Sequence, residues 1–547
     1  MNALEAAERD GGSAAAQVQQ APSSGSAARY PLLLTSLALI IVAFLLVRYQ
    51  GYYVEQDTAE TTRVIAAVAD AGTVIPSSDT HPVYPSGFAF QSVNVFLMEM
   101  SGLSVQQLQS WGWPFMLPFT ILMAYLAFRE MTRDDQAAAL AALLLCLQPD
   151  FLFTTLRGSH EKLTYSLVLA GLLLLFRAFC YRQPAAVFAR YVFLLYVVFA
   201  ALVATNSTFG GALVAGLLMS AAGGLGMARL STPETADERR LFLRLAFVAG
   251  SSALLLGIEL FYLYPPSGQI LDQLGAGLQR IVGLFRHLGT SEHPYAGIAL
   301  NWRSPWIYLL LNAFDWCVLA LSGVVWLAQA RRLLRGGWAA VPDVLRLRWL
   351  LFGALALEVG FGVVADYSGV LGSNLQLRLL PIFMFAALPT VSGALVGLPR
   401  RLPAVALTGP AMRAGLAAAV TCLAAMGALK ATNEPILSNK WTFYSAPEAQ
   451  ALDWLPRYLP NGAVWTDVDE RLREAYLFRW PLDESGGSRF ALGQPSADVP
   501  VIMISSITRE RLARLHQLLP DVLHTELIYD NGDVQIYHRV PRTPLQR

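Results

Sequence analysis

"PLLLTSLALIIVAFLLV", residues 31–47, runs for seventeen residues without a charge. That is close to the length a helix needs to cross a hydrocarbon core of about 30 Å. It is longer than the apolar core of a secretory signal, and no small-residue cleavage site follows it, so it reads as an uncleaved first span. The residues before it, 1–30, are rich in Ala, Ser, Gln and Gly without apolar periodicity and are expected to form a disordered cytoplasmic tail.

The whole chain has the same character. Of 547 residues, 55% are hydrophobic and only 14% charged, with a mean hydropathy of +0.44, whereas soluble domains carry about 25% charged residues. A net charge of +1 argues against a nucleic-acid partner. Cys146, Cys180, Cys317 and Cys422 lie scattered in apolar segments and form neither a disulfide framework nor a zinc site.

Runs of spanning length recur at 31–48, 111–128, 136–153, 162–178, 189–205, 208–228, 243–264, 305–329, 348–365, 378–397 and 411–429. The expected fold is therefore mainly α, a polytopic membrane protein with about 11 transmembrane helices. Arginines concentrate in alternate loops, for example Arg129 and Arg133, then Arg331, Arg332 and Arg335. The positive-inside rule places those loops, and the N-terminus, in the cytoplasm. The expected location is the inner (plasma) membrane.

Three regions follow: the tail 1–30, a membrane region 31–430 with a first extracytoplasmic loop at 49–110, and an extracytoplasmic α/β domain at 431–547. The first loop holds two candidate interfacial helices, 57–71 and 87–103, and a third is expected over 270–281. The C-terminal domain reads as a strand at 464–466, a helix at 469–479, a strand at 499–505, a helix from 508, and a hairpin turning at Asp530-Asn531-Gly532-Asp533.

On this topology several ionisable residues gather on the outer face: Glu55, Asp57, Glu60 and His81 in the first loop; Arg157, His160, Glu161 and Lys162 between the third and fourth spans; Tyr367 and Arg378 before the tenth. Taken singly, each reads as a solvated loop residue, and Asp57 with Glu60 also fits an N-cap and the third helical position. Taken together they suggest a site.

The stretch "DTAETTRVIAAVADAG…HPVYPSGFAF…MSGLS" resembles the first extracytoplasmic loop of polytopic GT-C glycosyltransferases, such as the protein-mannosyl and aminoarabinose transferases. Asp57 sits at the family's acidic position, Gly72 closes the helix, and His81-Pro82 with Tyr84-Pro85 fill the proline-bearing stretch. The sequence departs from relatives with adjacent Asp-Glu, since Thr58 follows Asp57, and it has His160-Glu161 where relatives often have Asp. Its tail lacks the WWDYG run of oligosaccharyltransferases.

The resemblance implies transfer of a hexose or pentose from a polyprenyl-phosphate-linked lipid to a hydroxyl on a glycan, lipid or protein acceptor. Asp57, with Glu55 and Glu60 as substitutes, would be the general base. Arg378, Arg157 and Lys162 would hold the leaving phosphate. His160 and Glu161 would orient the acceptor or hold a divalent cation, Mg or Mn, and His81, Tyr84 and Tyr367 would border the acceptor. The rival readings are an oligosaccharide polymerase, ligase or oligosaccharyltransferase-like enzyme, and a transporter or flippase, for which Asp315 and Glu358 within spans would be the signs.

Overall fold

The computed structural model of the protein describes residues 28–53, 56–72, 88–181, 183–230, 236–259, 279, 305–336, 338, 341–368, 375–397, 410–431, 443–459, 463–468, 470–483, 486–493, 499–514 and 516–539. The expected helix at 270–281, apart from residue 279, and the loop residues Glu55, His81 and Tyr84 lie outside them.

The membrane part is a bundle of long apolar helices, the form that satisfies every backbone group without water. In chain order they are α1 (Arg29–Tyr49), the first-loop helices α2 (Gln56–Ala71) and α3 (Phe88–Ser101), then a composite α4 over Val105–Thr132. After these come α5 (Asp135–Leu147), α6 (Pro149–Leu156), α7 (Glu161–Phe179), α8 (Ala185–Thr205), α9 (Ser207–Leu230), α10 (Ala236–Ile258), α11 (Pro305–Gly336), α12 (Asp343–Ser368), α13 (Leu375–Gly397) and α14 (Pro410–Ala431). Their cores interlock through residues such as Leu145, Leu169, Leu213, Leu351 and Phe385, all fully buried. Leu33, Ile40, Phe44, Phe193 and Phe247 stay exposed around the outside, the placement that suits lipid.

Among the described residues nine helices are long and apolar enough to cross a membrane, and a bent pair makes ten. The chain is a multi-pass membrane protein, and the described residues account for nine or ten of the eleven spans expected. The run at 411–429 is helical, as α14, but is not among those ten. The span expected at 136–153 is broken into α5 and α6, which meet at 67°. Pro149 is the cause: its ring excludes the α conformation at the preceding residue, and Gln148 is extended at φ −66°, ψ 126°.

Both first-loop helices form. α2 buries Ala59, Val64, Ile65 and Val68; of the stripe Ile65, Val68 and Ala69 read from the sequence, Ala69 is only partly buried. α3 packs Phe90 against Trp113, with ring centroids 4.8 Å apart.

The C-terminal α/β region carries the sheet order β2-β1-β3-β5-β4, built from β1 (Val464–Asp467), β2 (Phe490–Leu492), β3 (Val501–Ser505), β4 (Thr525–Asp530) and β5 (Val534–Arg539). β1 runs parallel to β2 and β3, and the hairpin β4–β5 joins antiparallel to β3. Its helices are α15 (Ala446–Tyr458), α16 (Arg471–Arg479), α17 (Gly486–Arg489) and α18 (Ser506–Arg514).

Beneath the sheet Arg471 bridges two buried carboxylates, reaching Glu448 Oε1 and Asp467 Oδ2 at 2.8 Å each. Burial opposes its charge, and the two carboxylates more than offset that, so its pKa rises above the usual arginine range. Glu448 also closes the capping box of α15 with Ser445. Arg471→Met strands both carboxylates, and thermal unfolding is expected to show a loss of about 3–5 kcal/mol. Arg473→Met, at a half-exposed pair with Glu470, is expected to cost less than about 1 kcal/mol.

This region rests on the first loop. Ala59 of α2 is buried in one apolar cluster with Leu472, Ala475 and Tyr476 of α16, and Gln106 Nε2 donates to the Phe478 carbonyl at 3.2 Å. The end of α1 joins in through Tyr52 and Tyr444, edge to face at 5.4 Å. The first loop and the C-terminal region thus share one end of the bundle.

Candidate active site

Asp57 stands in the first turn of α2, one residue inside the helix rather than at its cap, since α2 begins at Gln56. Its carboxylate turns to the bundle. Arg157 Nη2 meets Asp57 Oδ2 at 2.8 Å and Glu161 Oε1 at 3.1 Å, so one guanidinium is shared by two carboxylates. Asp57 is about one-third exposed (34%), while Arg157 and Glu161 are at 15% and 16%. The site is open on the Asp57 side and closed on the other.

The turn Arg157–His160 that carries these groups is fixed at both ends. Arg157 ends α6 in an extended conformation and lies over the Phe153 ring, 5.2 Å from its centroid. Gly158 N donates to Thr58 Oγ1 at 3.1 Å, tying the turn to α2 beside Asp57. A β-carbon at Gly158 would come within 2.6 Å of Thr58 Cγ2 and 2.7 Å of Gln109 Oε1. Only glycine permits that approach.

His160 begins α7. Asn206 Nδ2 lies 3.0 Å from its Nε2, within hydrogen-bonding distance. Nδ1 is 4.0 Å from Glu161 Oε2. Asn206 also receives the Phe209 amide at 3.2 Å, the N-cap bond of α9. Ends of α6, α7, α8 and α9 and the first-loop helix therefore converge on one cluster.

The remaining sequence candidates are placed differently. Glu60 pairs with Arg63 at 3.3 Å along α2. Lys162 is fully buried, its Nζ 5.9 Å from the Trp113 ring centroid. Arg378 is exposed near the start of α13. Tyr367 lies in α12, with its side chain outside what is described. Asp366, buried beside it, accepts the Leu375 and Gln376 amides at 2.8 and 2.9 Å and so caps α13. Asp315 accepts from Gln148 Nε2 at 2.8 Å, at the break between α5 and α6.

Among the described residues no group of three or more His, Cys, Asp or Glu is arranged to hold a metal ion. The carboxylates of Asp57 and Glu161 are both engaged by Arg157 rather than aimed together at an open point, so this donor set does not suit a divalent cation.

Thr58, Gly158 and Asn206 belong to the site although the sequence gives none of them a role in it. Asn206-Ser207-Thr208 reads as a glycosylation sequon of little consequence; the better signal is a capping residue between two apolar runs.

In overall fold the chain is similar to the apo form of the oligosaccharyltransferase of Archaeoglobus fulgidus, with a TM-score of 0.51 at 13% identity over 94% of this chain and 75% of that one. ArnT from Cupriavidus metallidurans, solved with undecaprenyl phosphate, gives a TM-score of 0.48 at 13% identity over 93% and 98% of the two chains. The arabinofuranosyltransferase AftD from Mycobacteria gives 0.43 at 14% identity over 93% and 40%. No protein-family model matches the chain, and no curated protein matches it in sequence.

Proposed function

We propose that this chain, which has the GT-C fold, moves a sugar from a polyprenyl-phosphate-linked donor to a hydroxyl acceptor at the outer face of the membrane, with Asp57 as general base. The observation that carries the reading is the 2.8 Å pair between Asp57 and Arg157, drawn from separate loops to one end of the bundle. A guanidinium held between two carboxylates is already fixed in position. When a donor phosphate arrives, its two non-bridging oxygens, which share one negative charge, compete for the same N–H groups, and Arg157 suits that exchange because a planar fork matches phosphate.

The exchange does two things at once. It places positive charge where the leaving phosphate develops negative charge as the glycosidic C–O bond breaks. It also releases a carboxylate oxygen of Asp57, which is open to solvent, to take the proton from the attacking hydroxyl. Glu161 keeps hold of the guanidinium during the exchange, and Asn206 with His160 braces the wall behind it. Both alcohol oxygen and phosphate are then accounted for: one loses a proton to Asp57, the other departs with the bonding pair.

The test is transfer itself. Purified full-length protein in liposomes, given undecaprenyl-phosphate monosaccharides and a crude envelope acceptor extract, is expected to release undecaprenyl phosphate and label the acceptor. Intact donor after prolonged incubation with every sugar tried counts against the reading.

A further inference from the structure

Gln109 stands where three parts of the site meet. The first-loop helix, the Arg157–His160 turn and the start of α4 close on Gly158, whose β-carbon would touch both Thr58 and Gln109 Oε1. Thr58 adjoins Asp57, and Gly158 adjoins Arg157, so Gln109 packs against the turn that carries the arginine of the ion pair. It is 1% exposed, and among the described residues neither its Oε1 nor its Nε2 has a hydrogen-bond partner.

The backbone that sets it there is unusual as well. A capping box between Ser104 and Gln107 starts α4, and the chain then widens into a π-helical turn, Leu108–Gly112, before tightening through Trp113–Phe115. Wide turns of this kind recur at functional sites. A buried amide without hydrogen bonds bears the full desolvation cost of its polar atoms, and an apolar side chain of equal length avoids that cost. A ligand that brings hydroxyl groups supplies the missing bonds.

An amide offers one donor and one acceptor side by side, and two neighbouring sugar hydroxyls offer the complement. We propose that Gln109 recognises the donor's sugar, donating from Nε2 to one hydroxyl oxygen and accepting at Oε1 from the next. This rests on the transfer reading above and adds that the sugar, as well as its phosphate, is selected inside the bundle.

The experiment compares full-length wild type with Gln109→Met, using undecaprenyl phosphate alone and a series of undecaprenyl-phosphate monosaccharides that includes members lacking single hydroxyls. The variant is expected to melt at or above the wild-type temperature and to bind undecaprenyl phosphate equally well. Its kcat/KM for the preferred sugar is expected to fall about 10- to 100-fold, and the hydroxyl whose loss penalises wild type is expected to make no difference to the variant. Wild-type rates in Gln109→Met, or an unchanged hydroxyl dependence, overturn the proposal. Should that variant not fold, the wild-type series decides: equal use of every deoxy donor overturns it. A wild-type protein that uses no donor at all takes the transfer reading down with it, whereas transfer undisturbed by the substitution removes Gln109 alone.

Discussion

Asp57→Asn is expected to lower sugar transfer by about 10²–10⁴-fold while leaving expression and thermal unfolding close to wild type. The side chains have the same shape, and the amide oxygen still accepts from Arg157. What is lost is the ability to take a proton. Asp57 is one-third exposed, so the substitution buries no new polar group. The result separates base catalysis from helix support: a residue that only steadied the first turn of α2 would change stability and leave the rate alone. Glu60→Gln is the companion, and because that carboxylate is committed to Arg63 along the helix, little change in transfer is expected.

Arg157→Ala is expected to cost about 10²–10³-fold in transfer and to weaken retention of undecaprenyl phosphate by liposome-embedded protein. The guanidinium serves Asp57 and Glu161 together in the resting state, and removing it leaves two acids facing one another beside an anionic substrate. Arg157→Lys is expected to recover only a small part of the loss, because a single ammonium does not replace a planar fork shared between partners. Retention assayed alongside rate distinguishes phosphate binding from a distant structural effect.

Much of the fold was legible from residue patterns. Apolar runs of bilayer length marked the spans, the stripe of Ile65, Val68 and Ala69 marked α2, and the Asp-Asn-Gly-Asp turn marked the β4–β5 hairpin. The misreadings have physical causes. Residues 136–153 look continuous to a hydropathy window, yet Pro149 constrains Gln148 and turns the helix by 67°. α15 carries a Ser-Ala-Pro-Glu capping box at 445–448, and its apolar face is buried against α16 as well as the sheet, a packing that the sequence pattern does not reveal.

The site was legible only in part. Asp57, Arg157, His160 and Glu161 were identifiable as polar residues on facing loops, and the structure brings them together. Thr58, Gly158 and Gln109 were not, because a small residue at a crossing point or a lone amide has no local signature, and Asn206 offered only its capping position between two apolar runs. Their meaning comes from which loops touch, a property of packing that no window along the chain contains.

The account is tested most directly by a structure of the full-length protein with undecaprenyl phosphate bound. The phosphate is expected within hydrogen-bonding distance of Arg157, with that guanidinium drawn away from the Asp57 carboxylate. A phosphate seated elsewhere on the bundle, with the Asp57–Arg157 pair intact, would contradict it.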